Sequence, residues 1–79
     1  MQETSISETV RRVMADVFGL EPTTIGDNAE WGELPNWDSG NHVVMVIALE
    51  EEFGISFEVT EIESITSFQA VVAAVEQKL

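Results

Sequence analysis

Apolar residues at Ile6, Val10, Val13 and Val17 recur every three or four positions. That spacing lays them on one stripe of a helix. Ser5 followed by Glu8 reads as a capping box that opens it, and Gly19 after Phe18 as its stop. From Leu20 to Trp37 the periodicity breaks. Pro22, Gly26, Asp27, Asn28, Gly32, Pro35 and Asn36 are turn and loop residues. A connection this long in so short a chain is either functional or pinned down. Ile25, Trp31, Leu34 and Trp37 read as the pins, large apolar anchors holding the loop across helices, with stacking of a ligand as the alternative role for either Trp.

Periodicity returns from Ser39 to Phe53, where Gly54 closes a second helix. His42, Met45, Val46, Leu49 and Phe53 share one arc of that helix and face the core. Gly40, Val43, Val44 and Ile47 fall on or near the opposite side, with Glu50 and Glu51 beside them. An apolar strip rimmed by acids is the mark of a docking face, unless the loop or another helix covers it. Ile55 and Phe57 form an extended link. Thr60 to Ile65 has room for a brief helix, with Ile62 and Ile65 turned inward. Thr66 and Gln69 read as a second capping box. A last helix shows Phe68, Val71, Val72, Val75 and Leu79 on one stripe. No strand-like alternation is sustained. The expected fold is all-α: a small four-helix bundle of three main helices and one short one, with a long loop between helices 1 and 2.

Seventy-nine residues allow one domain, spanning 1–79. A chain of this size buries only about 60% of its unfolded surface, too little to enclose a large catalytic cavity. No apolar run approaches the roughly 20 residues of a membrane span. No basic and apolar leader opens the chain, so the expected address is cytoplasmic. Charge changes the picture more. Fifteen acids face three bases, Arg11, Arg12 and Lys78, for a net charge of −12. Such a surface repels nucleic acid and anionic membranes and attracts basic protein patches. Self-repulsion favours a monomer, although the apolar strip leaves room for a weak dimer.

Little in the sequence converges on catalysis. There is one His, no Cys and no Tyr. His42 as a general base would need an orienting carboxylate or a nucleophile, and the sequence places none. Its expected role is structural. Asp27, Asn28, Glu30 and Glu33 do not follow the calcium-loop spacing. The Glu50 to Glu52 run reads as a solvated face. No metal site and no Gly-rich phosphate loop are expected, and the chain is not expected to be an enzyme. What stands out is Asp38-Ser39-Gly40, where the long loop meets the second helix. Asp and Ser are both good helix caps. A hydroxyl at a helix N-terminus is also well placed to bear a phosphate.

The run Trp37-Asp38-Ser39, followed by Ala48-Leu49-Glu50-Glu51-Glu52-Phe53-Gly54-Ile55 and Ile65-Thr66-Ser67-Phe68, resembles the acyl carrier proteins. The likeness runs from about Ser5 to Val75. Members of that family hold acyl groups as thioesters on a 4′-phosphopantetheine arm, attached to the serine of an Asp-Ser-Leu motif. The resemblance implies that Ser39 takes the arm and that Asp38 assists the phosphopantetheinyl transferase and its divalent ion. It implies that Gly40, Val43, Val44, Ile47, Glu50 and Glu51 meet partner enzymes bearing basic patches. It implies a crevice for the acyl chain lined by Met45, Val46, Leu49, Ile62 and Val72. The implied partners are enzymes of fatty-acid, polyketide or related synthesis. Two alternatives stand beside this: a carrier of aminoacyl or other small activated acids, and an unmodified acidic helical interaction module. A wide apolar crevice favours long acyl chains, and a closed core favours small acids. One residue departs from the family. Gly40 stands where the family has Leu or Met, which removes roughly 1.5–3 kcal/mol of possible burial against a transferase.

Overall fold

A computed structural model describes residues 2–79, with side chains from Ile6 onward. Four helices follow in order: α1 (Gln2–Phe18), α2 (Ser39–Phe53), α3 (Val59–Ser64) and α4 (Phe68–Lys78). The fold is all-α, as the periodicity required. One 3₁₀ turn, Pro22–Thr24, lies in the loop between α1 and α2.

α1 packs against both α2 and α4. Its inward stripe buries Val10, Val13, Met14 and Phe18, while Ile6 and Val17 are half-buried. Met14, Ala15 and Phe18 extend the buried face beyond the stripe expected from the sequence. Met45, Leu49, Val71 and Val75 meet these residues from α2 and α4 with no exposed surface. Burying a side chain of this size contributes about 1.5–3 kcal/mol before cavity effects.

The helix ends follow the local sequence signals only in part. Gly19 and Gly54 take left-handed φ values of 69° and 68°, a conformation that glycine adopts without strain. The backbone of α1 already begins at Gln2, ahead of Ser5. Ser5 is therefore inside the helix and not its cap, and its side chain lies outside the described residues. α3 starts one residue earlier than Thr60, at Val59, because Glu58 and Glu61 form the capping box. Glu58 N–H donates to Glu61 Oε1 at 2.7 Å. At the start of α4 the cap is Ser67, not Thr66: Ser67 Oγ accepts from Ala70 N–H at 3.1 Å. Gln69 does not complete that box; its amide donates instead to Asn28 at 3.2 Å.

The long loop is stitched down along its length. Arg11 donates to the carbonyl of Ile25 and to Asp27 Oδ1, the latter at 2.7 Å, and lies 4.4 Å from the Phe68 ring centroid. Residues 29–31 run antiparallel to 66–68. Trp31 N–H donates to Thr66 O at 2.8 Å, and Phe68 N–H donates to Ala29 O at 2.9 Å. Asn36, with a φ of 69°, turns its amide onto the last carbonyl of α1, Phe18 O, at 2.8 Å. Ile25 and Trp37 are buried and Leu34 is half-buried. Trp31 corrects the expectation of four pins: it is 41% exposed. Its backbone is held by the pairing with Thr66, so the fold does not need to sink its ring.

Candidate functional site

Two local devices bring the loop into α2. Asn41 Nδ2 donates to Asn36 O at 2.9 Å, which ties the end of the loop to the first turn of the helix. Asp38 then caps the helix: its Oδ1 accepts from Asn41 N–H at 2.9 Å. Because Asp38 does the capping, Ser39 is free of that duty. Ser39 is the first residue of α2 and is exposed. It sits at the positive end of a helix of 15 residues, where negative charge is favoured.

Ser39 borders an open cleft of about 430 Å³, lined also by Trp31, His42, Glu63 and Thr66. The loop, α2 and the region from α3 to the α4 cap each contribute to it. His42 forms its floor and is only 7% exposed. Trp37 donates its indole N–H to His42 Nδ1 at 2.9 Å. An indole nitrogen can only donate, so Nδ1 accepts and the imidazole carries its proton on Nε2. Nε2 is 2.7 Å from Ile62 O and donates to it. Both ring nitrogens are thus committed to holding the loop, α2 and α3 together. This is a structural histidine. Trp31 packs edge-on against both neighbours, with ring centroids 6.0 Å from Trp37 and 5.4 Å from His42.

The outward side of α2 carries the apolar strip. Val43, Val44 and Ile47 are 49–52% exposed, so neither the loop nor another helix covers them. Gly40 continues the strip toward Ser39. A Cβ built on Gly40 would meet only Asp38 Oδ1, at 3.7 Å, an ordinary contact. Nothing in the fold therefore requires glycine at this position. The two acids of the strip differ. Glu51 is exposed, whereas Glu50 is half-buried and accepts from Phe57 N–H at 2.9 Å. Glu52, next along, pairs with Arg12 at 3.1 Å.

The residues read as a crevice do not open onto Ser39 together. Met45 and Leu49 have no exposed surface, and Val46 and Val72 are buried at 3% and 9%. Ile62 is half-buried, and Val72 borders a different cleft, with Ser7, Phe68 and Glu76. The cleft that does reach Ser39 is walled by Trp31, Glu63 and Thr66, which sequence reasoning did not assign to a site. The available signal is a Trp inside a polar loop, which suits an anchor first and a ligand-stacking ring second.

Comparison with known proteins gives the family. A family model described as a phosphopantetheine attachment site matches residues 8–75. An acyl carrier protein of Thermosynechococcus vestitus is 32% identical over 79 residues, covering 100% of this chain and 98% of that protein. An acyl carrier protein of Akkermansia muciniphila is 35% identical over 77 residues, covering 98% and 96%.

Proposed function

Because the chain belongs to the acyl carrier proteins, we propose that Ser39 is its attachment serine and that residues 1–79 act as one carrier domain. Proteins of this family carry and do not catalyse, and their prosthetic group is a covalent 4′-phosphopantetheine. When bound, that group supplies a terminal thiol for thioester formation, which this chain, with zero Cys, lacks. The residues present fit it. The serine is exposed, stands at a helix N-terminus and borders an open cleft. This placement of Ser39 is the observation that carries the proposal.

In loading, Ser39 Oγ would bond to a phosphate of coenzyme A as the donor's pyrophosphate link breaks. Ser39 would give its hydroxyl proton to the transferase, with adenosine 3′,5′-bisphosphate as the leaving group. Asp38 holds the first turn of α2 with one oxygen, and its exposed carboxylate can also face the transferase's divalent ion. The strip of Gly40, Val43, Val44 and Ile47, with Glu51 at its edge, offers a surface for enzymes with basic patches. Such contacts form fast and release readily, as a shuttle requires. Among the described residues no helix is long and apolar enough to cross a membrane. The proposed setting is a cytoplasmic monomer serving acyl-transferring and acyl-modifying enzymes.

Full burial of Met45 and Leu49 supports a second reading of the cargo. A closed core suits aminoacyl or other small activated acids better than long fatty or polyketide-type chains. Co-expression with a broad-specificity phosphopantetheinyl transferase, followed by intact-mass measurement, tests the main proposal. A gain of one phosphopantetheinyl group is expected, and Ser39→Ala should abolish it. No gain with any transferase would instead favour an unmodified interaction module. Loading the arm with short and long acyl groups separates the two cargo readings. A melting temperature that climbs with chain length supports long-chain carriage; one that stays flat supports small acids.

A further inference from the structure

We propose that Trp31 is the platform on which the arm attached at Ser39 comes to rest, so that the arm lies in the outer cleft and does not enter the core. The inference rests on the assignment of Ser39 as the attachment site. Trp31 and Ser39 border the same cleft. The tryptophan is held in place from two directions. Its amide N–H is fixed to Thr66 O at 2.8 Å, and its ring packs edge-on against Trp37 and His42. The residue nevertheless keeps 41% exposure. A preorganised, partly exposed indole offers apolar area at little entropic cost.

The remaining walls suit the same occupant. The arm begins with a branched dimethyl segment and continues through two amides. The indole suits the methyl groups. The Glu63 carboxylate can accept an amide N–H, and the Thr66 hydroxyl can donate to an amide carbonyl. Inward passage at this point is blocked by His42, fixed on both ring nitrogens by Trp37 and Ile62. Weak contacts suffice, because a short tether keeps the arm at an effective concentration of order millimolar. A surface site with a millimolar dissociation constant is then occupied about half the time.

Fluorine NMR of protein labelled with 5-fluorotryptophan gives one signal for each of the two tryptophans, and Trp31→Phe assigns them. Conversion to the arm-bearing form, verified by intact mass, should shift the Trp31 signal and reduce its response to a soluble paramagnetic probe. The Trp37 signal should move less. Proton NMR of the same form should show cross-peaks between the Trp31 ring and the arm's methyl groups, which a mere change of charge at Ser39 would not produce. Full mass gain with an unmoved Trp31 signal, or with arm cross-peaks to Met45 and Leu49 in its place, overturns this inference and leaves the carrier assignment standing. Absence of the mass gain overturns both.

Discussion

At Gly40 the fold has room for a side chain that the residue lacks. Its backbone is helical, and a Cβ there meets nothing closer than 3.7 Å. Glycine in a helix costs about 0.5–1 kcal/mol relative to alanine, and somewhat less in the first turn. Gly40→Leu should therefore raise stability by up to about 0.5 kcal/mol, read from urea unfolding. It should also speed modification of Ser39 by a generic transferase, by restoring an apolar grip beside the hydroxyl. An unchanged modification rate would show that the glycine is not what limits docking. His42 and Trp31 teach a related lesson about single residues. The sequence suggested that the lone histidine was structural, and its two hydrogen bonds show how. It did not reveal that Trp31 stays partly exposed, because that depends on a pairing with Thr66, 35 positions along the chain.

Among the elements, α3 is the shortest helix and depends most on its ends. Glu61 is the acid of its capping box and also pairs with Lys78 of α4, Nζ to Oε1, at 2.8 Å. The hydrogen bond from the Glu58 backbone, then that from Lys78, lowers the Glu61 carboxyl below its ordinary value. The unfolded chain therefore takes up this proton more readily than the folded one. The stability it contributes is present above the ordinary glutamate range and is lost as the pH falls through the lowered value. Acidification from neutrality to about pH 3 should loosen α3 and its contact with α4. In Glu61→Gln that part of the pH dependence should disappear, measured as urea midpoints against pH. The helices were readable because their apolar residues recur at three and four and glycines stop two of them. The caps were less so. Thr66 and Ser67 are adjacent residues that can both cap a helix, and Glu58 is not among the usual N-cap residues. The cleft beside Ser39 was illegible for a different reason: three separate segments build it, and no local pattern records their meeting.

For the molecule as a whole, charge acts in two opposing ways. With 15 acids against three bases, the surface repels itself even when folded. Raising ionic strength from a few millimolar to about 0.15 M shortens the screening length to about 8 Å. Thermal stability should rise, each 1 kcal/mol of relieved repulsion appearing as roughly 4–8 °C in the melting temperature of a domain this size. Binding to a basic partner should weaken over the same range, chiefly through a slower association rate. Calorimetry and stopped-flow mixing at matched salt concentrations would give the two trends. A common sign would mean that docking rests on the apolar strip more than on the acids.

The fate of the three cations has a consequence for how labour is divided during loading. Arg11 is engaged with Asp27, Arg12 with Glu52 and Lys78 with Glu61, and none of them borders the opening at Ser39. In the proposed loading the donor coenzyme would arrive bearing several phosphates, and among the described residues no Lys or Arg borders that opening to receive them. An enzyme performing that transfer would have to bring the counter-charges itself, while the carrier would contribute an oxygen, a helix end and a clear approach.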